Sequence, residues 1–389
     1  MSSRAEEVVV LHVVSNLTPG GAELMMKRLI ARHLAGAGSG KYRDHVVSLR
    51  EKASVGAQLE AMGIEVVPLG MTGPLSARKA VRSLAAIIER LKPDLVQTWL
   101  YHADLVGGIA ARRAGAPPVI WNVRTTRIPP GRGTSAMTTL VRRACAFLSS
   151  RLPRRIVYVA ESARRIHERL GYDASKSLVL PNGYDMPALP SPDARAAARA
   201  RFDIPEAAVV IGSAGRYNAL KDYPSFIAAA AALAARRPGL RFLLAGRELD
   251  RRNPELVAMV EASGFGERFH LAGEQQGLGD FLAATDIFCL HSIVEGFPNV
   301  VAEAMAMAVP CAVTDVGDAA LIVGETGFVV PPERPELMAE ALERLLAEPE
   351  TERAERGRLA RERIAANYSM EAIGARYDAL YESVVAKVN

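Results

Sequence analysis

Cysteine is scarce in this chain, with three residues in 389. Cys145, Cys289 and Cys311 lie far apart, and no C-x-x-C pair occurs. Neither a disulfide framework nor a thiolate zinc site is indicated, and a reducing cytoplasm is the simplest home. Long apolar runs are also missing. The richest, Phe226 to Ala235, is mostly alanine and stops at Arg236 and Arg237, well short of the roughly 20 residues that span a bilayer. The run Val8–Val14 follows Glu6 and Glu7, the wrong charge for a secretory leader, so none is expected.

What is present is an ordinary globular balance, 49% hydrophobic and 23% charged, which excludes a disordered or fibrous chain. The length predicts two domains or three. Charge is divided unevenly. Residues 1–180 hold 27 Lys+Arg against 13 Asp+Glu, and the remainder 21 against 30, so a basic first half precedes an acidic second. A basic half can face nucleic acid or an anionic membrane surface. In the segment Pro74 to Lys92, Leu84, Ile87, Ile88 and Leu91 share a helical face, with Arg78, Lys79, Arg82 and Lys92 largely off it. That pattern suits either a packed surface helix or a membrane-surface helix. The stretch from Arg142-Arg143 to Arg154-Arg155 is similarly basic.

Short β-branched runs alternate with helical patterns along the chain. Strands are expected at Val8–Val14, Val46–Leu49, Val66–Pro68, Leu95–Thr98, Val119–Val123 and Ile156–Val159. Helices are expected at Ala22–Leu34, Ala77–Leu91, Ala103–Arg113 and Ser162–Leu170. A second series follows a Pro-rich stretch near Pro181–Pro192. It has strands at Val209–Ser213, Phe242–Ala245, Ile287–Leu290 and Cys311–Thr314, and helices at Pro224–Arg236, Glu255–Ser263 and Asn299–Met307. From about Leu337 onward the chain reads as helical, with Pro335 a natural start. The alternation predicts α/β architecture, in two doubly wound parallel-sheet domains with ligands at the carboxyl ends of the strands.

Three turns could hold phosphate. The first, Asn16-Leu-Thr-Pro-Gly-Gly-Ala-Glu23, places Gly20 and Gly21 before a helix start, where the backbone can approach an anion. It is neither the dinucleotide fingerprint nor the ATP loop. The second, Gly212-Ser-Ala-Gly-Arg-Tyr-Asn-Ala-Leu-Lys-Asp222, brings Arg216 and Lys221 close to a strand end. Two cations there suit a diphosphate. The third, His291-Ser-Ile-Val-Glu-Gly-Phe-Pro-Asn-Val-Val-Ala-Glu-Ala-Met305, sets Glu295 in the loop and Glu303 eight residues on. Backbone from Gly296, Phe297, Asn299 and Val300 could donate to an anion, and a carboxylate suits vicinal sugar hydroxyls.

With these segments in order, the chain resembles the family 4 glycosyltransferases. Glu295-Gly-Phe-Pro-Asn-Val-Val-Ala-Glu303 looks like the family's E-x7-E motif. Gly20-Gly21-Ala22-Glu23 resembles its first Gly-rich loop, Leu180-Pro-Asn-Gly-Tyr-Asp185 its domain junction, and Gly215-Arg216 with Lys221 its diphosphate pair. The resemblance implies a GT-B fold, two Rossmann-like domains facing across a cleft. They would cover residues 1–182 and 183–368, with a last helix over 369–389 crossing back to the first. It further implies a nucleotide-sugar donor, transfer with retention of anomeric configuration, and no metal or other cofactor. Arg216 and Lys221 would stabilise the leaving diphosphate, and Glu303 would hold the ribose hydroxyls. Glu295, Gly296, Phe297 and Asn299 would meet the transferred sugar, and Gly21 the phosphates from the other domain.

One departure stands out. Where the family places a histidine after its fifth strand, Trp121-Asn-Val-Arg-Thr125 has Arg124. His102 at the preceding strand end is a candidate substitute, with either a catalytic or sugar-binding role or simply a helix-start hydrogen bond. Arg124 and Arg127, the latter in the basic loop Arg124 to Thr134, are expected on the acceptor side. The acceptor would be a saccharide or a lipid-linked intermediate of cell-envelope glycan synthesis. The protein would be cytoplasmic or peripheral on an anionic membrane face, and no nucleic acid partner is expected. A GT-B epimerase, a phosphorylase and a nonenzymatic nucleotide-sugar sensor would share these features.

Overall fold

The computed structural model describes residues 7–36, 41–126 and 136–386. The chain separates into two compact units, one of residues 1–183 with 370–389 and one of Tyr184–Ser369.

The first unit holds a parallel sheet of β1 (Val8–Val14), β2 (Tyr42–Ser48), β3 (Val66–Pro68), β4 (Leu95–Trp99), β5 (Val119–Val123), β6 (Arg155–Tyr158) and β7 (Ser177–Val179), in the order β3-β2-β1-β4-β5-β6-β7. Its helices are α1 (Gly21–Leu34), α2 (Ala53–Ala61), α3 (Pro74–Leu91), α4 (Tyr101–Arg113), α5 (Ala136–Leu148) and α6 (Glu161–Arg169). The second unit begins with α7 (Pro192–Arg201). Its sheet comprises β8 (Val209–Ala214), β9 (Leu240–Ala245), β10 (Phe269–Gly273), β11 (Ile287–Leu290), β12 (Cys311–Thr314) and β13 (Phe328–Val330), in the order β10-β9-β8-β11-β12-β13. The helices α8 (Tyr223–Ala234), α9 (Pro254–Ala262), α10 (Gly279–Ala284), α11 (Asn299–Ala306), α12 (Ala319–Val323), α13 (Pro335–Ala347) and α14 (Glu350–Tyr368) complete it, and α15 (Met370–Val385) belongs to the first unit.

Both sheets are doubly wound, and each reverses direction once. In the first the reversal lies between β1 and β4, in the second between β8 and β11. Such a switch point opens a crevice at the carboxyl ends of the two strands. In the second unit it sets the turn after β8 beside the turn after β11, the two that carry Arg216, Lys221 and Glu295.

Local chemistry fixes the helix starts. Ser191 caps α7 by accepting from the Ala194 N–H, and Asn253 caps α9 by accepting from Glu255 and Leu256, each just before a proline. The core of the first unit packs Val10, Leu95 and Trp99 against Met25 and Leu29 of α1 and Ile373, Tyr377 and Tyr381 of α15. Arg32 of α1 grips Asp378 of α15 with two hydrogen bonds, 2.8 and 3.1 Å.

Strand β2 starts four residues earlier than its apolar run suggests. Asp44 points inward, accepting hydrogen bonds from His12 at 2.9 Å and His33 at 2.8 Å. Inward-facing charge is invisible to a hydrophobicity reading, yet here it is fully partnered. Helix α3 is packed on the protein through Ala80, Val81, Leu84, Ala85 and Ile88, while Arg78, Lys79 and Arg82 are exposed. Helices α2, α5, α7, α10 and α12 and strands β7, β10 and β13 were not expected from the pattern. Apart from α5, which is 13 residues long and amphipathic, they are short or alanine- and arginine-rich, so their periodicity is weak.

Candidate functional site

The site of the second unit grows from the end of β8. The Gly215 N–H donates to the Ala245 carbonyl at 3.0 Å. A side chain at Gly246, where φ is 141°, would put Cβ 1.8 Å from the Gly215 oxygen, so the turns after β8 and β9 can approach only because residue 246 is glycine. Asn218 then accepts from Leu220 N–H at 2.9 Å and winds one 3-10 turn over Ala219–Lys221. Asp222 adopts φ 53° and caps α8 through the Ser225 N–H at 3.3 Å. The outcome separates the two cations. Arg216 is exposed, and its guanidinium has no partner among the described residues. Lys221 is half-buried, with Nζ 2.5 Å from Glu295 Oε1.

Glu295 comes from the turn after β11. The same Oε1 accepts from the Ser292 hydroxyl at 2.7 Å, and Oε2 has no hydrogen-bond partner among the described residues. The turn is held from beneath by His291. Its Nδ1–H donates to the Asp222 carbonyl at 3.2 Å, so Nε2 accepts from the Ser213 hydroxyl at 2.8 Å. Burial, helped by the Lys221 charge, lowers its pKa to about 3, which keeps the ring neutral. The Ile293 N–H adds a bond to the Leu220 carbonyl at 2.8 Å. A neutral imidazole thus joins the end of β8, the cap of α8 and the turn that carries Glu295.

The remaining residues follow α11. Gly296 accepts from the Asp318 N–H at 2.9 Å. Phe297 is buried and stacks on Tyr184, with ring centres 6.2 Å apart, and the Tyr184 hydroxyl donates to Asn299 Oδ1. Pro298 stands at the cap position of α11. Asn299, Val300 and Glu303 are half-buried on α11. Arg216, Lys221, Glu295, Gly296, Phe297, Asn299, Val300 and Glu303 therefore share one edge of the second unit.

In the first unit, Gly20 caps α1 and Gly21 opens it, exposed. The buried carboxylate of Glu23 folds back beneath this turn, where a Cβ at Gly20 would lie 2.6 Å from it. Burial raises its pKa, while its own backbone N–H lowers it. Part of the helix start is thus satisfied internally, which narrows what the glycine turn can offer an outside anion. His102 lies in the first turn of α4, half-buried, just after Leu100, which holds the strained conformation φ 73°, ψ 156°. Its ring has no hydrogen-bond partner among the described residues, so the helix-start hydrogen bond is not seen. Burial, with the charge of Arg50, lowers its pKa. Arg50, Asn16 and Thr18 line an open cavity of 520 Å³ at the carboxyl ends of β1, β2 and β3.

Arg124 is committed to internal contacts. It donates to the Leu180 carbonyl at 2.8 Å and the Tyr377 hydroxyl at 2.5 Å, and its guanidinium lies 5.3 Å from the Trp99 ring centre. Arg127 lies outside the described residues. The sequence reading left His291 unassigned and missed Ser213, Ser292 and Arg50. His291, a polar residue directly after the buried strand β11, is the one of these with a sequence signal.

This is the site of a GT-B protein, and the comparisons agree. Residues 19–186 match the family described as Glycosyltransferase Family 4, and residues 208–348 that described as Glycosyl transferases group 1. The chain belongs to the family 4 type of glycosyltransferases. It is 32% identical over 197 residues to the alpha-D-kanosaminyltransferase of Streptomyces kanamyceticus, a stretch covering 49% of each chain. It is 28% identical over 317 residues to the D-inositol 3-phosphate glycosyltransferase of Nocardiopsis dassonvillei, covering 74% of this chain and 73% of that one. HepE of Anabaena in complex with UDP superposes with a TM-score of 0.83 at 20% identity, covering 97% of this chain and 100% of HepE.

Proposed function

We propose that this chain moves a sugar from a nucleotide diphosphate donor to a hydroxyl acceptor with retention of configuration, needing no metal. The observation that carries the reading is the pairing at the switch point of an unpartnered Arg216 with Lys221 and Glu295. Solved complexes of HepE with UDP and with UDP-glucose support a nucleotide-sugar donor.

In this reading the bond from the anomeric carbon to the phosphate oxygen breaks first, with oxocarbenium character on the sugar. Negative charge grows on the departing diphosphate. Arg216 and Lys221 oppose it, preorganised by the β8 turn, in the role a metal would otherwise fill. Lys221 exchanges Glu295 for phosphate as the donor arrives. Glu303 takes the ribose hydroxyls, and Glu295 with the Gly296–Asn299 backbone orients the sugar. The acceptor oxygen bonds the anomeric carbon on the face of departure, and its proton passes to the leaving phosphate oxygen. His102 and the Arg50 cavity supply the acceptor side. The excess positive charge of residues 1–180 favours an anionic acceptor, a lipid-linked or polysaccharide intermediate of cell-envelope glycan synthesis at an anionic membrane face.

Thermal shifts with UDP-, GDP-, dTDP- and ADP-sugars test the donor half. A donor at 100 times its Kd adds roughly 2.7 kcal/mol of stability. The shift should be selective for one base and lost in Glu303→Ala. Turnover of that donor with phosphate alone would replace transfer by phosphorolysis, and binding without turnover by any acceptor would leave a sensor.

A further inference from the structure

The first unit carries a second basic feature, on the edge opposite its strand carboxyl ends. There β5, β6 and β7 begin and α4 and α5 end. An open cavity of 610 Å³ lies among them, lined by Arg112, Arg151, Arg154 and Lys176 with Pro117 and Pro118, and no carboxylate is on its wall. Lys176 is fixed by donating to the carbonyls of Ser149, Ser150 and Pro153, at 3.2, 2.6 and 2.8 Å. Arg112, Arg151 and Arg154 are exposed, and their side chains have no hydrogen bond or ion pair among the described residues. Many other arginines of this chain are paired, as Arg199 with Asp286 and Arg164 with Glu161 and Glu168. Four like charges around one cavity repel one another unless an anion joins them. Guanidinium groups in particular match phosphate by paired hydrogen bonds.

An apolar face adjoins the cavity. On α5, Leu140 and Phe147 are seven residues apart, hence on one side of the helix, and are 60% and 72% exposed. The Arg151 guanidinium stands 5.5 Å from the Phe147 ring centre, linking that face to the cavity. A soluble phosphate has no use for an exposed ring and leucine beside its site. A bilayer surface takes both, the phosphate through the arginines and the apolar side chains through its interfacial layer.

We propose that this edge docks on an anionic phospholipid surface. A headgroup phosphate sits among Arg112, Arg151 and Arg154, while Leu140 and Phe147 enter the interfacial layer. The inference goes beyond the proposed function, since this edge is opposite the strand carboxyl ends to which that reading assigns the acceptor, and it is independent of the transferase chemistry because its readout is binding alone.

The test is sedimentation of the full chain with phosphatidylcholine vesicles with and without phosphatidylglycerol. Wild type should bind only the anionic vesicles, and less as salt rises. Replacing Arg112, Arg151 and Arg154 together by Gln should weaken binding on the order of a hundredfold, roughly fivefold per arginine. The melting temperature should change little, since none of the three has a hydrogen bond or ion pair to lose and the Arg151–Phe147 contact is exposed. Replacing Arg78, Lys79 and Arg82 of α3 by Gln removes the same charge and should cost far less. Phe147→Trp should give an emission blue shift with anionic vesicles. Equal losses in the two triple variants would reduce the effect to net charge, and a loss confined to the α3 variant would move the docking face there. Either overturns the cavity while keeping the membrane reading. Stabilisation by inorganic phosphate that is lost in the cavity variant, with vesicle binding intact, would assign the cavity to a soluble phosphate instead. Absence of wild-type binding to any vesicle removes the cavity proposal and the membrane reading together, whatever the transferase assay shows.

Discussion

Lys221 Nζ and Glu295 Oε1 meet at 2.5 Å and tie the turn after β8 to the turn after β11. Each side chain is about one fifth exposed or less, 21% and 16%. The pair sets a positive charge against a negative one at the edge of the switch point. In the proposed function an incoming diphosphate competes with Glu295 for the lysine, and binding must exchange this contact. Glu295→Gln removes that competition while keeping the side-chain shape. Donor affinity should hold or rise while the rate of transfer falls. Isothermal titration beside steady-state kinetics would read the split, and parallel losses in both would mean that Glu295 only shapes the turn.

Arg216 differs from Lys221 in having nothing to lose on folding. Arg216→Ala should leave the melting temperature unchanged and lower the rate on the order of 10²–10³, as when one preorganised donor is removed. A drop below about threefold, with the fold intact, would take Arg216 out of the charge-stabilising role. Lys221→Ala should do both things. It lowers the rate and, by leaving Glu295 uncompensated, costs about 1 kcal/mol of stability.

Asp44 makes a prediction about stability alone. Burial pushes its pKa up, but hydrogen bonds from His12 and His33 outweigh burial and lower it to about 2, from an ordinary 3.8. A depressed carboxylate stabilises the fold above its unfolded pKa, and that contribution disappears as pH falls through the folded one. The contribution is about 2 kcal/mol, present above pH 4 and gone near pH 2. Urea unfolding of wild type and Asp44→Asn across that range should show a gap near neutrality that closes on acidification. A gap independent of pH would mean that the variant acts through packing.

Much of this architecture is legible in the residues, for identifiable reasons. Strands such as β1, β5, β11 and β12 are buried on both faces, so they read as mostly apolar runs, interrupted only by His12, Asn122 and Thr314, and their limits match closely. The Arg216, Lys221 and Glu295 turns lie just after such runs, so their spacing and order, together with the family resemblance, singled them out. What stayed hidden depends on contacts remote in sequence. Asp44 is inward-facing because His12 and His33 lie 32 and 11 residues away. His291 is a strut because Ser213, 78 residues earlier, ends the neighbouring strand. Arg124 reads as a cation available to substrate until Tyr377, 253 residues later, takes its guanidinium. No periodicity encodes such pairs.

His102 offers a pH test of its role. Burial and the nearby Arg50 cation both favour its neutral form. If it binds substrate as the neutral imidazole, the acid limb of kcat/KM falls below pH 6.5, the ordinary imidazole value. Arg50→Gln removes one cause of the depression and should move that limb upward in pH. His102→Gln should abolish the limb. A limb that stays in place in both variants would assign it to another group.

Gly317 tests whether the Glu295 turn must be held where it is. Its φ is 59°, and a Cβ there would lie 2.3 Å from the Gly296 carbonyl oxygen and 2.8 Å from that of Glu295. The neighbouring Asp318 N–H already holds the Gly296 carbonyl at 2.9 Å. Gly317→Ala therefore has two consequences. The left-handed backbone costs about 1 kcal/mol with any ordinary side chain. The collision is with backbone rather than with a pliable side-chain end, so the turn after β11 must shift. A displacement near 1 Å in positioning groups can cost on the order of 10² in rate. The loss of activity should therefore exceed what the fall in melting temperature explains, with Lys221→Ala adding less in this background than in wild type. Additive effects of the two substitutions would show that the glycine supports the fold without positioning Glu295 against Lys221.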